Sequence, residues 1–452
     1  MTLCQRPSTS LGPNVPLHSS GYFDSPRLDE PPASPHHRPV TARQDLESIF
    51  RAAVAACHPA DVVPAYLPEP PEGHTILLAI GKAAGGMARA VEAAWHGPLS
   101  GLAVVPHGPA ELLQQIDCIS AGHPMPDEAS LTAAERLLAL AQQAGSEDLV
   151  LVLLSGGASA LACLPGEGLS LADKQALTTA LLRSGAPIEE INTVRRHLSR
   201  IKGGRLARAA QPARLVTLAI SDVVGDRPED IGSGPTVTDP TSLEEAKAIL
   251  GRHGIVAPDR GWSETVKPDE AEGWNADYRI IAGGDTALKA AASEAVRLGW
   301  EAVPIDAHAQ GEARDVARRH ASIALETLRS GSRVALISGG ELTVTLSGQG
   351  SGGPSREYSL ALALTLDGAA GITALAADTD GLDGSHDAAG AFIDPATLAR
   401  AKARKLDASA ALQANDSGAF FAALGDAFVT GPTGTNVNDL RTILIDPSGS
   451  RA

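Results

Sequence analysis

An unbroken apolar run that ends at two glycines constrains the fold of this chain more than any other stretch. Leu149–Leu154 contains only leucine and valine, and Ser155-Gly156-Gly157 follows it directly. Such a run, bounded by turn residues, is typical of a strand buried on both faces of a parallel sheet. The residues from Ala158 onward predict a helix. Because glycines at a strand-to-helix corner let the backbone approach a ligand closely, this corner predicts a phosphate or carboxylate site, and a tight turn without a ligand is the alternative.

Three further corners repeat this arrangement. Glycine pairs follow apolar runs at Gly283-Gly284 and Gly339-Gly340, and an earlier run leads into a loop that contains Lys82. Strands that all end in glycine loops predict one ligand-binding rim at the carboxyl ends of α/β sheets. Lys82 is expected to neutralise phosphate oxygens, and a solvated loop lysine is the alternative.

The alternation of apolar strands with helical stretches predicts an α/β fold. We expect a disordered leader over residues 1–42, a Rossmann-like domain with a mostly parallel sheet over residues 43–270, and a smaller α/β domain over residues 271–452, with a cleft between the two domains. A helix is expected to begin near Ala42. The expected strands are residues 76–80, 101–105, 149–154, 215–221, 279–282, 334–337, 372–376 and 442–445.

Charge and composition restrict the partners. The net charge of −16 over 452 residues disfavours nucleic acid and anionic membranes, since both require a basic surface. The sequence contains no apolar run of membrane-spanning length and no secretory signal pattern. The four cysteines have neither disulfide-framework nor metal-site spacing. We therefore expect a cytoplasmic protein with small-molecule substrates, and homo-oligomerisation stays open.

A basic stretch follows the first glycine corner. Residues 191–207 predict one helix that places Arg195, Ser199 and Lys202 on the same face. We interpret this face as a basic wall beside a cleft, with a solvated stripe on a surface helix as the alternative.

Two acidic segments are candidates for metal binding or proton transfer. Asp222 follows an apolar run, and an aspartate at the carboxyl edge of a sheet can hold Mg²⁺ or accept a hydroxyl proton. A second loop contains Asp378, Asp380, Asp383 and Asp387 without the spacing of an EF-hand. Aspartates that cap helices or form turns are the alternative for both segments.

A rival hypothesis comes from a GxGxxG motif at residues 348–353. It lies between an expected strand at residues 342–346 and an expected helix at residues 356–366. Asp378 follows at roughly the distance of a ribose-binding acid. The motif predicts a dinucleotide site, but a lone GxGxxG is a weak signal.

Several longer motifs occur together between residues 44 and 445: LLSGGASAL, NTVRRHLSRIKGGRLA, AISDVVGDRPEDIGSGPTVTDPT, AADTDGLDG and TGPTGTNVNDL. In this order they resemble the glycerate 2-kinase family, whose C-terminal part is called the MOFRL domain. The resemblance implies ATP-dependent phosphorylation of the 2-hydroxyl of D-glycerate to 2-phosphoglycerate, with ATP and Mg²⁺ as cofactors. Relatives have also been labelled hydroxypyruvate reductases, so an NAD(P)H-dependent reductase is the alternative. A non-enzymatic sugar-phosphate or nucleotide sensor would use the same glycine corners.

The resemblance assigns a catalytic role to Lys82 and a phosphate or substrate cradle to the Ser155 corner. The family's second glycine-rich segment commonly reads GGRNQE, whereas this chain reads GGPSRE, so Pro354 replaces the arginine and Arg356 follows two residues later. We expect Arg356 to swing its guanidinium over that loop and to act with Lys82 and Asp222 in catalysis. The expected metal ligands are Asp222, Asp378 and Asp383. The candidate substrate- or phosphate-binding residues are Ser155, Gly156, Gly157, Ser159, Arg195, Lys202, Gly283, Gly284, Gly339, Gly340, Gly350, Gly352 and Gly353.

Overall fold

The computed structural model describes residues 41–108, 112–384 and 388–450, so most of the expected leader and Asp387 lie outside the described residues. The chain from Thr41 onward forms one compact unit. Its first helix begins at Ala42, as predicted, because the Thr41 hydroxyl accepts a hydrogen bond from the Gln44 backbone N–H and caps the helix.

The first sheet is parallel throughout, with the strand order β3-β2-β1-β4-β5-β6. Its strands are β1 (Thr75–Ile80), β2 (Leu99–Pro106), β3 (Ile116–Ala121), β4 (Leu149–Leu154), β5 (Arg214–Ile220) and β6 (Ala276–Ala282). Every residue of β1 and β4 is buried, which confirms the prediction from their apolar runs. This is the Rossmann strand order, in which the winding of the chain reverses between β1 and β4. The predicted Rossmann-like sheet is confirmed.

The second sheet is mixed, with the order β11-β10-β9-β12-β8-β7. Its strands are β7 (Glu301–Asp306), β8 (Val334–Ser338), β9 (Ile372–Asp378), β10 (Gly390–Ile393), β11 (Ala427–Phe428) and β12 (Asp439–Ile445). The central strand β12 runs antiparallel to both of its neighbours, β8 and β9. The amino end of β12 therefore lies beside the carboxyl end of β9.

The chain passes from one sheet to the other later than the expected boundary after residue 270. β6 pairs with β5 and completes the first sheet, although the expected boundary assigns residues 276–282 to the second domain. The change of sheet occurs between β6 and β7. One apolar core cluster contains residues of both sheets, among them Leu151 and Leu375, so the two sheets share a core.

Fifteen α-helices surround these sheets in the described part of the chain. They are α1 (Ala42–Ala55), α2 (Pro59–Val62), α3 (Ala84–Ala94), α4 (Glu128–Ala141), α5 (Ala158–Leu161), α6 (Leu171–Arg183), α7 (Ile188–His197), α8 (Arg205–Ala209), α9 (Leu243–Arg252), α10 (Gly284–Arg297), α11 (Ala313–Ser330), α12 (Pro354–Leu366), α13 (Thr397–Ala403), α14 (Ala408–Gln413) and α15 (Ser417–Leu424). None of the helices between residues 41 and 450 has the length and apolarity needed to cross a membrane.

The prediction of a single helix over residues 191–207 is wrong. α7 ends at His197, and α8 begins only at Arg205. Between them Gly203 and Gly204 have φ angles of +58° and +77°, and two consecutive left-handed residues cannot continue a right-handed helix. This break turns Lys202 inward, where its side chain is buried. The strand expected at residues 342–346 is also absent, since only an isolated bridge from Thr343 occurs there.

Candidate active site

The loops after β1 and β4 meet at the point where the winding of the first sheet reverses. The Lys82 backbone N–H donates to the Gly156 carbonyl at 2.8 Å, and the Ala83 N–H donates to the Ser155 hydroxyl oxygen at 3.0 Å. In sheets of this order, ligands bind in the crevice outside the carboxyl ends of the strands at that point. The two loops therefore hold Lys82 at the expected ligand-binding edge.

A cavity of about 210 Å³, which we call the acidic cavity, opens beside Lys82. Asp222 reaches it from the loop after β5, Glu341 from the loop after β8, and Asp378 and Asp439 from the neighbouring ends of β9 and β12. Residues of both sheets thus line one cavity. Its lining residues are Lys82, His123, Gly157, Asp222, Glu341, Asp378, Asn436, Asn438 and Asp439.

Lys82 is paired with a carboxylate from the second sheet. Its Nζ atom lies 2.9 Å from Asp380 Oδ2, and the two side chains are 32% and 12% exposed. Burial lowers the pKa of the Lys82 ammonium, but Asp380, together with Asp378 and Asp222, raises it by more, so the net pKa lies above the ordinary lysine value. Lys82 is therefore a cation at neutral pH.

The four carboxyl groups of the acidic cavity lie where ionisation is unfavourable. Burial raises the pKa of Asp222, and burial together with neighbouring carboxylates raises that of Asp378 well above its ordinary value. Asp439 also has a raised pKa because of burial, although Arg441 opposes the shift. Burial of its carboxyl and the charges of Asp222 and Asp439 raise the pKa of Glu341 to about 7, although the residue as a whole is exposed. The cavity thus brings together carboxyl groups that favour their protonated forms.

Within the described residues, no three His, Cys, Asp or Glu side chains converge closely enough to form a metal-binding group. Three of the cavity's carboxylates already accept hydrogen bonds from the protein. Asp222 accepts from the Asn436 amide at 3.4 Å. Asp439 accepts from Arg441 at 2.9 Å and from Ser355 at 3.2 Å. Asp378 accepts from the Asp380 backbone N–H at 2.9 Å.

A second cavity of about 360 Å³, which we call the cationic pocket, shares Gly157 and His123 with the acidic cavity. Lys174, Arg195 and Lys202 line it. Its other lining residues are Ser159, Cys163, Thr178 and the apolar group Pro124, Met125, Pro126, Ala160 and Leu182. The structure thus brings together Ser159, Arg195 and Lys202, which the sequence analysis proposed as binding residues, and adds Lys174.

The residues of the Ser155 corner have three different environments. Ser155 is fully buried and its hydroxyl accepts the Ala83 N–H, so it holds the loop rather than opening onto a cavity. A Cβ on Gly156 would lie 1.9 Å from Asp222 Oδ2, so glycine is needed to let that carboxylate approach. Gly157, with a φ of +82°, borders both cavities.

The other candidate glycines do not line either cavity, so the structure does not form the single rim expected from the sequence. The carbonyls of Gly339 and Gly340 accept hydrogen bonds from Arg441, at 2.6 and 2.9 Å. A Cβ on Gly283 would lie 3.0 Å from Asp226 Oδ1. The remaining members of this group are Gly284, Gly350, Gly352 and Gly353.

Arg356 and Asp383 form a buried ion pair instead of facing the acidic cavity. The Arg356 Nε atom lies 2.8 Å from Asp383 Oδ2, and the side chains are 3% and 1% exposed. The Asp383 carboxylate also accepts the backbone N–H groups of Ser355 and Arg356, so it caps α12. The expected swing of Arg356 over the glycine loop is therefore not seen, because Asp383 holds its guanidinium, and Asp383 does not reach the position expected of a metal ligand.

The GxGxxG segment packs against the protein itself. A Cβ on Gly348 would lie 2.1 Å from the Ala414 carbonyl oxygen, and one on Gly350 would lie 2.4 Å from Asp416 Cβ. The glycines at residues 348–353 thus allow a close approach between two loops.

Several cavity residues are missing from the sequence-based assignments: His123, Glu341, Asn436, Asn438 and Asp439. Asn436 and Asn438 lie in the loop before β12, where Asn438 has a left-handed φ of +70°, so strand periodicity does not mark them. Glu341 follows a glycine pair, as the predicted binding loops do. His123 stands before a proline with no pattern around it that indicates a site.

Comparisons with known proteins agree with this architecture. A family model described as a domain of unknown function, DUF4147, matches residues 45–262, and the MOFRL family model matches residues 334–439. A protein of Agrobacterium vitis that bears the provisional name hydroxypyruvate reductase is 48% identical over 90% of this chain and 95% of its own length. A D-glycerate 2-kinase of Thermotoga maritima is 39% identical over 89% of this chain and 98% of its own length.

The structural comparison gives the same result. A crystal structure of glycerate kinase from Thermotoga maritima superposes with a TM-score of 0.82, at 39% sequence identity, over 88% of this chain and 98% of that one. Both sheets are therefore shared with a protein of that name. The chain belongs to the glycerate kinase family and carries a MOFRL domain in its C-terminal part.

Proposed function

We propose that this protein is an ATP-dependent glycerate 2-kinase, which transfers a phosphoryl group to the 2-hydroxyl of D-glycerate and forms 2-phosphoglycerate and ADP. One observation carries the proposal: Lys82 and four carboxyl groups from both sheets line one cavity where the winding of the first sheet reverses. Phosphoryl transfer needs cations around the phosphoryl oxygens and a group that orients the attacking hydroxyl, and this cavity contains both.

Lys82 supplies positive charge to the transferred phosphoryl group. Its ammonium carries a proton at neutral pH, and hydrogen bonds from the backbone at Lys82 and Ala83 fix its loop. A preorganised cation stabilises the charge that spreads over the phosphoryl oxygens in the transition state.

Asp222 accepts the proton of the substrate hydroxyl. The substrate oxygen forms its bond to phosphorus, the bond from phosphorus to the ADP oxygen breaks, and the hydroxyl proton moves to the Asp222 carboxylate. The Asn436 amide lies 3.4 Å from Asp222 Oδ2, and Gly156 leaves room for this carboxylate beside the loop after β4. Its raised pKa suits a group that receives a proton during the reaction.

The acidic cavity also fits Mg²⁺, which prefers carboxylate oxygens and substrate phosphates as ligands. Besides burial, the charge of Asp439 raises the pKa of both Asp378 and Glu341, so these carboxyl groups repel one another in the cavity. Asp378 and Glu341 would hold the ion together with the substrate phosphates, whereas Asp439 is paired with Arg441 and Asp383 with Arg356. When bound with ATP, Mg²⁺ neutralises charge on the phosphate chain.

Product analysis tests the proposal against the reductase alternative. Purified protein with D-glycerate, ATP and Mg²⁺ should form ADP and 2-phosphoglycerate, with the phosphate position assigned by NMR. Hydroxypyruvate and NAD(P)H are the matched assay for the alternative. Robust hydride transfer without ADP formation would refute the kinase proposal. The packing of the GxGxxG loop against Ala414 and Asp416 supports the kinase. We further propose that the enzyme acts in the cytoplasm, on small molecules alone.

A further inference from the structure

The three cations of the cationic pocket have no acidic partner. Lys174 Nζ donates to the Leu198 carbonyl at 2.8 Å. Lys202 Nζ donates to the carbonyls of Ser159, Ala162 and Gly232 at 3.0, 3.1 and 3.5 Å, so it contributes positive charge to the pocket rather than a free N–H donor. Both lysines are buried, at 5% and 2% exposure. Across the ranges that the structure describes, no carboxylate oxygen lies within 4.0 Å of the cationic atoms of Lys174, Lys202 or Arg195.

Burial of two lysines and partial burial of Arg195 without a counter-charge is energetically unfavourable. Neutral carbonyls replace part of the lost hydration, but they do not balance the charge. Burial lowers the pKa of Lys174 to about 8 and that of Lys202 to about 7. Arg195 keeps its charge under all ordinary conditions, since a guanidinium does not lose its proton in proteins. A bound anion would stabilise all three groups, so the arrangement is that of a preformed anion site.

The charge and size of the pocket distinguish between the two substrates. Glycerate offers one carboxylate, whereas the phosphate chain of a nucleotide offers several negative charges and matches three cations more closely. The pocket has a volume of about 360 Å³, against about 210 Å³ for the acidic cavity, and pockets for larger ligands begin at roughly 300 Å³. Met125, Pro126 and Leu182 add an apolar wall that a nucleoside can contact.

We propose that the cationic pocket binds the α- and β-phosphates of the nucleotide through Lys174, Arg195 and Lys202, and that glycerate occupies the acidic cavity. This inference rests on the proposed function. The two cavities meet at Gly157 and His123, so a nucleotide seated in this way directs its terminal phosphate toward Lys82. ATP then lies against the first sheet, and glycerate lies between the sheets.

Isothermal titration of ADP with Mg²⁺ tests this placement. Arg195→Gln and Lys174→Met should each weaken ADP binding by about tenfold or more, since each removes a positive charge that faces the phosphates. The KM for D-glycerate should change by less than about twofold at saturating ATP. Arg200→Gln is the matched control, because Arg200 is exposed and does not line the pocket.

The outcomes separate the two levels of inference. Failure of the wild-type protein to bind ADP refutes the proposed function itself. Wild-type binding together with unchanged ADP affinity in both variants refutes the phosphate site, and an accompanying rise in the KM for glycerate would assign the pocket to the substrate carboxylate. An equal loss in Arg200→Gln would show only a general charge effect and would also overturn the assignment. Arg195 is half-buried and bonds only to Asn192, at 3.4 Å, so Arg195→Gln is expected to fold even if Lys174→Met does not.

Discussion

Replacing Arg356 should reduce stability rather than catalysis. Arg356→Met removes one partner of an ion pair whose side chains are 3% and 1% exposed, and leaves the Asp383 carboxylate buried without a cation. Breaking a buried pair in this way costs about 3–5 kcal/mol of unfolding free energy. The Nε–Oδ2 contact of 2.8 Å is lost, whereas the backbone N–H groups that Asp383 accepts at the start of α12 stay in place.

The pKa of Asp383 gives this loss a pH dependence. Burial raises the pKa of this carboxyl from 3.8 to about 6, although Arg356 opposes the shift. A raised folded-state pKa means that the folded protein binds the extra proton, so the contribution of Asp383 to stability falls as pH rises from about 4 to about 6. Without Arg356 the folded-state pKa rises further and the decline extends to higher pH. The difference between variant and wild type should therefore be larger at pH 8 than at pH 5.

Urea unfolding at both pH values measures this difference, and kcat/KM is measured well below the unfolding temperature. Arg318→Met is the control, because it removes an exposed pair with Asp315, with side chains 60% and 61% exposed, and should cost under about 1 kcal/mol. Adding Asp383→Asn to Arg356→Met should recover part of the lost stability. A fall in kcat/KM of more than about tenfold at unchanged unfolding free energy would refute a structural role and make Arg356 catalytic.

Three further predictions concern the cavities. Lys82→Met should lower kcat, measured by ADP formation, by at least about 100-fold with little change in melting temperature. A loss of kcat below about tenfold contradicts the assigned role. The wild-type Glu341 carboxyl binds a proton more tightly in the folded state, so the unfolding free energy should fall as pH rises from 4.5 to about 7, and Glu341→Gln should abolish this fall. Thermal unfolding of the nucleotide-free proteins at about pH 5 and pH 8 checks this, and identical pH profiles for variant and wild type contradict it. Gly157→Ala should lower kcat/KM by more than about tenfold, because its Cβ would lie 2.8 Å from His123 Cδ2. The control is Gly185→Ala, which has a similar φ of +72° but open space around it. Equal losses of kcat/KM in the two variants would leave only backbone strain as the cause.

Long buried elements could be predicted from the sequence, and short or exposed ones could not. β1 and β4 are buried on both faces, so their runs are wholly or almost wholly apolar. β3 and β7 have exposed positions, and β11 contains only two residues, so none of them gives a clear periodic signal. The break between α7 and α8 depends on two left-handed glycines whose Cβ positions are blocked by residues 265 and 266, a contact that sequence periodicity does not show.

The candidate site divides in the same way. Lys82 and Asp222 follow parallel strands, so the rule that ligands bind beyond the carboxyl ends of strands finds them. The rule overlooks residues at the amino end of a strand. It therefore misses Asn436, Asn438 and Asp439, which lie before or at the start of β12, the strand that runs antiparallel to β9. No nearby residue in the sequence indicates that Arg356 pairs with Asp383. The pair forms only because the fold brings the start of α12 beside the loop that contains Asp383.

The ion pair between Lys82 and Asp380 determines which phosphates can use this lysine. A free phosphate ion that approaches the ammonium is repelled by the Asp380 carboxylate beside it, so it gains little from the contact. A phosphate tethered to a nucleotide that is already anchored nearby arrives at a high effective concentration and can compete with the carboxylate. The resting lysine is thereby shielded from inorganic phosphate and responds to a phosphoryl donor held in place.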